Sequence, residues 1–479
     1  MPYSIRHVQP PLNFIPTAYN PWVMRAVHSV LPFLLRVRVR PWLPAGISRI
    51  EVDNAERLVD LYAQLEAGSA RFLMAVRHVE VDDPLSGLYL CSRAVARAAK
   101  AKGIRLKQPV HTHFLYERGM TIWAGKSIGW LLSRIGGVPI RRGRRPDWVG
   151  LKAARKLMTE GKMPMVVAPE GATNGHSERL GPLEPGVAQL GFWCAEDLQR
   201  DNRTESVFVL PIGIQYRYEA PNWNRLARLL VKLESDSGLE SAGVMAPTPD
   251  KDCFLRILRL GAYLIETMEG FYKRCYHCSF DNAEKVDSPS KLLEEKNTLE
   301  TDPADVFSRL PQLLDNALNV SEQFFNLRSQ GTLVDRCRRI EEASWQYIYR
   351  EDLPDLASLS PLEKGLADWA AQEASLRELH MRLVESFVAV DGDYVKEKPT
   401  FERCAEMALL MSDMLGRLSG NRLPGRPRLG KRWVKMTVQP PISVTERLAS
   451  YQQNRRAGRT AVAALTEEIR VALETTIER

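Results

Sequence analysis

The first fifty residues of this 479-residue chain contain no acidic side chain, although the whole chain holds 58 aspartate and glutamate residues. Long apolar runs are absent as well. A membrane-spanning helix needs about 20 consecutive apolar residues, and the best candidate, Trp22 to Leu35, contains Arg25 and His28 and is interrupted by Pro32. We therefore expect no transmembrane helix, and the polar, proline-containing start of the chain predicts no signal peptide.

Cysteine is scarce, with seven residues scattered along the chain. An odd number of scattered cysteines is typical of a reducing compartment, so we expect a cytoplasmic protein. Cys275 and Cys278 are close in sequence, but no second pair of ligands lies at a spacing that zinc would need, and we predict no metal site. Motif spacings typical of nucleic-acid-binding folds are absent too, which predicts no nucleic-acid partner.

Positive charge is concentrated in the first half of the chain. Residues 1–220 hold 30 lysines and arginines against 19 acidic residues, a net of +11, whereas the remainder holds 36 against 39, a net of −3. A basic surface attracts anionic membranes and phosphorylated molecules. We therefore expect an anionic membrane surface as a partner and a protein that associates with membranes peripherally.

The segment from Trp22 to Leu35 is amphipathic, with its apolar residues on one broad face, and the arginines Arg36, Arg38 and Arg40 follow it. Such a helix can lie in the headgroup region of a membrane. It can equally pack on the core of its own protein, and the sequence leaves both alternatives open. We assign residues 1–44 to an N-terminal interfacial segment.

Strands and helices alternate over residues 45–220, which predicts an α/β layered domain. The predicted strands are Ile47–Val52, Arg71–Val76, Pro109–Tyr116, Met163–Ala168 and Ser206–Gln215. One predicted helix runs from Asp53 or Asn54 to about Glu66. The other predicted helices cover residues 85–102, 123–135, 148–160 and 187–199.

A histidine and an aspartate, His78 and Asp83, directly follow the apolar strand Arg71–Val76. In α/β folds substrates bind at the carboxyl ends of the strands. The pair suits general-base chemistry, because the imidazole can take a proton from a hydroxyl while the carboxylate fixes its tautomer. Glu80 and Asp82 are close enough in sequence to compete with Asp83 for that part.

Three further blocks follow in order: Gly136-Gly137-Val138-Pro139-Ile140-Arg141-Arg142, Val167-Ala168-Pro169-Glu170-Gly171 and Val209-Leu210-Pro211-Ile212-Gly213. Together with His-x4-Asp, the series resembles the four blocks of the glycerolipid acyltransferases, which acylate lysophosphatidate and related acceptors. The resemblance covers residues 45–220 and extends to the last fifty residues.

The resemblance implies that His78 is the general base that deprotonates the acceptor hydroxyl and that Asp83 orients it. The alkoxide then attacks an acyl thioester. Acyl-CoA or acyl carrier protein (acyl-ACP) would be the co-substrate, a lysophospholipid or glycerol phosphate the acceptor, and no cofactor would be bound. Only Asp83 has the spacing that the family uses.

Four residues of the middle blocks would bind substrate on the same resemblance. Arg142, with Gly137 in its block, would contact phosphate, because a guanidinium offers a planar fork of donors. Glu170 and Gly171 would hold the glycerol phosphate of the acceptor, since glycine lets the backbone approach a ligand closely.

Two departures from the family pattern leave the acceptor open. Arg77 stands where the family usually has asparagine, and it adds positive charge beside the histidine. Ala172-Thr173-Asn174 stands where the family often has Thr-Arg-Ser, so a phosphate-binding arginine is missing. The same fold acting on a non-phosphorylated alcohol, and a catalytically inactive membrane-binding scaffold, are therefore the alternatives to a phospholipid acyltransferase.

Residues 221–430 change character, with helical apolar spacing and a charged stretch near 279–302 that predicts a linker. Helices are predicted around 303–329, 332–350, 361–388 and 400–418. The segment Trp433–Val438 then alternates like a strand and resembles the closing strand of the acyltransferase domain, with a last helix over Ala461–Thr476. We predict an α/β acyltransferase-type sheet completed by residues 431–479, with 221–430 as a helical insertion. The alternative is an unrelated C-terminal hairpin.

Overall fold

A computed structural model describes residues 5–38, 46–141, 147–241, 243–280, 307–353, 355–388, 390, 393–420 and 425–478. The chain divides into two compact units. The sheet unit consists of Leu12–Ala220 and Gly430–Arg479, and the helical unit consists of Met1–Pro11 and Pro221–Leu429. The residues predicted as one N-terminal segment, 1–44, are thus shared between the two units.

The first part of the sheet unit alternates helices and strands. Its elements are α1 (Pro21–Arg36), β1 (Ile47–Asp53), α2 (Ala55–Glu66), β2 (Ala70–Val76), α3 (Asp83–Tyr89), a π-helical turn (Leu90–Ala94), α4 (Val95–Ala101), β3 (His113–Glu117), α5 (Met120–Ala124), α6 (Lys126–Arg134), β4 (Gly137–Ile140), α7 (Trp148–Glu160), β5 (Met165–Val167), α8 (Gly186–Arg200) and β6 (Ser206–Tyr218).

The helical unit has no strand among its described residues. Its helices are α9 (Trp223–Ser237), α10 (Pro249–Tyr276), α11 (Leu310–Phe324), α12 (Leu333–Ile348), α13 (Pro361–Glu385), α14 (Asp393–Glu397) and α15 (Phe401–Leu418). Capping boxes at Thr332 and Ser360 satisfy the first backbone N–H groups of α12 and α13. The predicted linker near 279–302 falls almost entirely outside the described residues.

The chain closes with β7 (Arg432–Val438), β8 (Ile442–Ser443), a 3₁₀ turn (Thr445–Arg447), α16 (Leu448–Gln452) and α17 (Arg455–Glu474). The eight-stranded sheet runs in the order β1-β7-β6-β2-β5-β3-β4, with β8 paired to β6. The five neighbours β6, β2, β5, β3 and β4 are parallel, while β7 is antiparallel to β6 and parallel to β1. The fold is thus mixed α/β with a predominantly parallel sheet, and this part of the prediction is confirmed.

Side chains of β2 alternate between two apolar cores on opposite faces of the sheet. Phe72 and Met74 lie in the core that includes side chains of α1, α2 and α4. Leu73 and Ala75 lie in the core that includes side chains of α7, α8 and α17. Both faces of a parallel strand are covered in this way, which is why the sequence of β2 is a continuous apolar run rather than an alternating one.

The predicted helix Trp123–Ile135 is divided in the structure. Gly125 has φ of +98°, which ends α5 before α6 begins at Lys126. L-residues rarely adopt this backbone conformation, so glycine is suited to the break. The predicted strand Pro109–Tyr116 begins only at His113, and the motif block that starts at Gly136 contains a further strand, β4.

Candidate active site

His78 and Asp83 meet at the carboxyl end of β2. His78 lies two residues beyond the strand, and Asp83 is the first residue of α3. The imidazole Nδ1 lies 2.9 Å from Asp83 Oδ2, and the side chains are 27% and 5% exposed. Because an ionised carboxylate only accepts hydrogen bonds, Nδ1 carries the proton and Nε2 keeps its lone pair. Nε2 is then the atom able to accept a proton from a substrate.

The carboxylate of Asp83 is held by three donors. Besides the His78 ring, it accepts the backbone N–H of Glu80 at 3.0 Å and the hydroxyl of Tyr216 at 2.6 Å. Burial raises the pKa of Tyr216 well above 10, and the nearby charges of Asp82 and Asp83 raise it further. The phenol therefore stays protonated and donates, which fixes the carboxylate beneath the imidazole.

Glu80 and Asp82 contact a cation instead of the imidazole. Arg432, the first residue of β7, lies 3.0 Å from Glu80 Oε1 and 3.1 Å from Asp82 Oδ2, and all three side chains are buried. Its guanidinium also lies over the ring of Tyr216, 4.8 Å from the centroid. The two carboxylates that the sequence left as competitors of Asp83 thus share the cation of Arg432, and a buried charge needs such a partner.

Arg77 does not present its charge to solvent beside the histidine. It is 1% exposed, and its guanidinium donates to the carbonyl oxygens of His176 at 2.8 Å, Ser177 at 2.7 Å, Arg179 at 2.6 Å and Ile214 at 3.3 Å. These carbonyls belong to the loop after β5 and to β6. The arginine, which directly precedes the candidate base, therefore connects its own segment to the loop after β5 and to β6.

Glu170 holds the backbone of His78. Its Oε2 accepts the His78 N–H at 2.8 Å, while Oε1 accepts the Asn174 amide and the Gly181 N–H, each at 2.8 Å. Burial raises the pKa of this carboxyl group, opposed by the charge of Arg77 and by the N–H donors. In this structure Glu170 contacts the candidate base through the backbone N–H of His78.

Gly171 and Asn174 shape the same loop. Gly171 has φ of +72°, and an added Cβ would overlap the Glu184 carboxylate, so only glycine fits without strain. Asn174 donates its backbone N–H to the His78 carbonyl at 3.2 Å and its side-chain amide to Glu170 and to the Arg179 carbonyl. Asn174, the last residue of the Ala172-Thr173-Asn174 segment, thus stabilises the loop.

The structure does not place Gly137 beside His78. Gly137 begins β4, three strands along the sheet from β2. The strand registers put it level with Met74, four residues before His78. An added Cβ there would come 2.9 Å from the Leu132 carbonyl oxygen and 3.0 Å from the Phe114 ring, so the small residue serves close packing in this structure.

The predicted phosphate ligand Arg142 lies outside the described residues, which stop at Arg141 and resume at Asp147. Asp147 contacts described residues on both sides of this stretch. Its carboxylate accepts the Arg141 N–H at 2.8 Å and the Gly150 N–H at 3.1 Å, and it forms an ion pair with Arg118. Arg118 and Arg141 follow β3 and β4, whose carboxyl ends share the sheet edge at which β2 ends.

Tyr216, Arg432 and Asp147 are the residues that sequence reasoning missed. One signal pointed to Arg432, because Glu80, Asp82 and Asp83 crowd three carboxylates into a loop after a buried strand. Such a cluster needs a nearby cation, although the sequence does not say which one. Tyr216 lies only three residues beyond the last motif block, and nothing in its sequence context indicated a partner.

Across the described residues, no group of three or more histidine, cysteine, aspartate or glutamate side chains could hold a metal ion. None of the described helices combines the length and apolar character needed to cross a membrane.

The geometry agrees with a comparison against known protein families. Residues 103–215 match the family model described as Acyltransferase. The match supports a domain of the glycerolipid acyltransferase type and acyl transfer as its chemistry. It includes Glu170 and Gly171 but begins after His78 and Asp83, so the role of the histidine rests on geometry. None of the curated proteins compared with the chain matches it.

Glu170→Gln is expected to destabilise the acyltransferase domain by about 1–3 kcal/mol, the cost of a buried donor left without an acceptor. Glutamine has one acceptor oxygen, so its NH₂ group must face either the His78 N–H or the Gly181 N–H. Urea unfolding measures the change, and Glu160→Gln, at a side chain that is 63% exposed, is the control. Equal unfolding free energies for wild type and Glu170→Gln would show that Glu170 is not held as described.

Proposed function

We propose that this chain transfers a fatty acyl group from an acyl thioester to a hydroxyl of a lysophospholipid or glycerol-phosphate acceptor. The single observation that carries the proposal is the His78–Asp83 contact of 2.9 Å at the carboxyl edge of the sheet. That contact stands in a chain whose residues 103–215 match an acyltransferase model. An inactive scaffold would not need an imidazole with a fixed tautomer, so the dyad favours an enzyme.

The proposed reaction needs one base and no change of oxidation state. His78 Nε2 takes the proton of the acceptor hydroxyl while the hydroxyl oxygen bonds to the thioester carbonyl carbon. The carbon–sulfur bond then breaks, and the imidazolium returns the proton to the leaving thiolate. Asp83 stabilises the imidazolium that exists between these two transfers. The products are an ester and a free thiol.

Glu170 is proposed as a positioning residue. Its carboxylate holds the backbone of His78 and the loop that carries Gly171. Contact with the acceptor phosphate is proposed for Arg142, because a guanidinium fork binds two phosphate oxygens at once. The donor is proposed to be acyl-CoA or acyl-ACP.

A second acceptor class is favoured by one observation. Thr173 occupies the place of the family's phosphate-binding arginine, and the side chain of the next residue, Asn174, is already engaged with Glu170 and the Arg179 carbonyl. The loop after β5 therefore supplies no cation at this position. A non-phosphorylated alcohol is the acceptor that this substitution would allow.

The test is acyl transfer by the purified chain from labelled acyl-CoA, and in parallel from acyl-ACP, to a panel of lysophospholipids, glycerol phosphate and plain alcohols. Mass spectrometry of the products identifies the ester formed. Esters of phosphorylated acceptors support the main proposal, and esters of plain alcohols alone support the second. No ester with any acceptor would contradict both proposals and favour a scaffold.

We propose that α1 contributes to binding at an anionic membrane surface. Its residues Met24, Leu31 and Leu35 are buried, whereas Trp22 and Phe33 are 71% and 56% exposed. Arg25 lies over the Trp22 ring at 4.8 Å. Exposed aromatic residues next to arginines suit the headgroup region, where the ring is buried and the cation meets phosphate.

The double variant Trp22→Ala, Phe33→Ala is expected to weaken binding to phosphatidylglycerol vesicles about tenfold or more, because two apolar side chains no longer enter the membrane. Raising the ionic strength should weaken binding of the wild type as well. Vesicle co-sedimentation measures both effects. The matched control is Trp369→Ala in the helical unit, where the tryptophan is 65% exposed. Equal losses in both variants, or binding independent of salt, would contradict the proposal.

A further inference from the structure

Residues 84–116 of the sheet unit contain no acidic side chain. The whole chain has 58 acidic residues in 479, so a stretch of this length would hold about four at the average frequency. The stretch also holds six cations: Arg93, Arg97, Lys100, Lys102, Arg105 and Lys107. The π-helical turn and α4 both lie within it, so the excess positive charge falls on one helical element of the fold.

Three of these cations lie on the outer side of that element. Arg93 belongs to the π-helical turn, and Arg97 and Lys100 belong to α4. Their spacing of four and three residues puts them on one side of a helix, and all three are exposed. Val95 and Ala99 face the other way and are buried in the core. Arg93, Arg97 and Lys100 thus form a basic stripe.

The charge of the basic stripe is not neutralised within the part of the chain that the structure describes. None of its three cations forms an ion pair with a described acidic side chain, whereas Lys102 is paired with Asp60 of α2. Like charges three or four residues apart destabilise a helix. An anionic partner would relieve this repulsion, so the stripe is suited to binding one.

The basic stripe and α1 belong to the same helical layer. Side chains of α1 and α4 share one apolar core on one face of the sheet, and Leu88 of α3 packs against the cluster that contains Met24 of α1. Burial and the nearby charge of Arg93 both lower the pKa of His28, which lies on α1. The stripe therefore begins beside the helix that exposes aromatic side chains.

We infer that the basic stripe binds the phosphate groups of an anionic membrane surface. The inference rests on the membrane binding proposed above for α1, and it adds an electrostatic contact on a separate element. Cations beside exposed aromatic residues are typical of surfaces that lie in the headgroup region. An acidic protein would also match three cations, but it would give no reason for the exposed aromatic residues of α1.

The test is co-sedimentation of the full chain with vesicles of phosphatidylglycerol and phosphatidylcholine, without acyl donor or acceptor. The variant Arg93→Gln, Arg97→Gln, Lys100→Gln removes the stripe. A basic residue near an anionic surface strengthens binding about fivefold, so the loss of three should weaken vesicle binding about 100-fold. The salt dependence of binding should fall as well, because fewer charges contact the surface.

The matched control removes three cations from the other face of the sheet. Arg455, Arg456 and Arg459 are exposed on α17, whose apolar side chains lie in the opposite core. Changing all three to glutamine alters the net charge by the same amount as the stripe variant. We expect the control to bind vesicles within about threefold of the wild type, because its cations lie on the other face. Thermal unfolding verifies that both variants are folded.

Equal losses in the two triple variants would assign the effect to net charge and overturn the inference. Unchanged vesicle binding in the stripe variant would overturn it too, and loss of binding to acyl carrier protein alone would assign the stripe to an acidic protein instead. Since no substrate is present, loss of vesicle binding in the stripe variant supports the inference even if the chain acylates no acceptor. That combination would contradict the proposed acyl transfer alone.

Discussion

His78→Ala is expected to lower kcat for acyl transfer about 10²–10⁴-fold, the usual contribution of a positioned general base. The fold should persist, because Asp83 keeps the Glu80 N–H and the Tyr216 hydroxyl as donors when the imidazole is removed. The assay is initial-rate acyl transfer with the acceptor that the panel identifies. The KM for the acceptor should change much less than kcat, because the base acts on the transition state.

The matched control is His277→Asn. His277 is exposed in the helical unit and has φ of +55°, a conformation that asparagine tolerates. It should leave kcat within twofold of the wild type. If His78→Ala is as active as this control, His78 is not the base. The acyl transfer proposed for this chain would then need another residue as proton acceptor.

Arg432→Ala has the second-largest expected effect. Removing one partner of a buried ion pair costs about 3–5 kcal/mol, because the remaining charge stays buried and unpaired. Here two carboxylates, Glu80 and Asp82, lose their cation together. Both lie in the loop between His78 and Asp83, so the geometry of the base should be lost along with stability. Urea unfolding and initial rates measure the two effects.

Two further variants separate charge from shape. Arg432→Lys should recover part of the stability, because an ammonium can still pair with one carboxylate. The triple variant Arg432→Met, Glu80→Gln, Asp82→Asn should be more stable to urea than Arg432→Ala, because it removes the two carboxylates together with their cation. If Arg432→Ala is as stable as the wild type, the buried cluster is not what holds this loop.

The local part of the candidate site could be predicted from the sequence, because it depends on residues that are close along the chain. An apolar run followed by His-x4-Asp places both side chains at the end of a buried strand, and the structure brings His78 and Asp83 into contact there. The choice of Asp83 over Glu80 and Asp82 followed from the resemblance, because only Asp83 has the spacing that the glycerolipid acyltransferases use. That the histidine acts as a base stays a prediction until activity is measured.

The missed part of the site depends on contacts between residues far apart in sequence. Arg432 is more than 340 residues beyond Glu80 and Asp82 in the chain, and Tyr216 is 133 residues beyond Asp83. Strand pairing brings them together, because β6 lies next to β2 and β7 lies next to β6. Spacing rules read neighbours along the chain, so they cannot indicate which arginine or tyrosine completes a buried cluster.

The prediction that residues 221–430 are an insertion stays a prediction. Two observations support it. The segment Arg432–Val438 lies between β1 and β6 of the sheet, and the Glu219 N–H donates to the Lys431 carbonyl at 3.0 Å. The chain thus leaves the sheet and returns to it at one point, as an inserted domain requires. Helical periodicity indicated the helices of this segment. The alternating pattern after Arg432 predicted the strand with which the chain returns to the sheet.

The most direct measurement of the central claim is thiol release from acyl-CoA or acyl-ACP, followed with and without acceptor. The account predicts acceptor-dependent release, with one thiol for each ester formed, in the wild type and in His277→Asn, and a loss of both products in His78→Ala. Thiol release that does not need an acceptor, or that His78→Ala carries out as fast as the wild type, would contradict acyl transfer to a hydroxyl activated by His78.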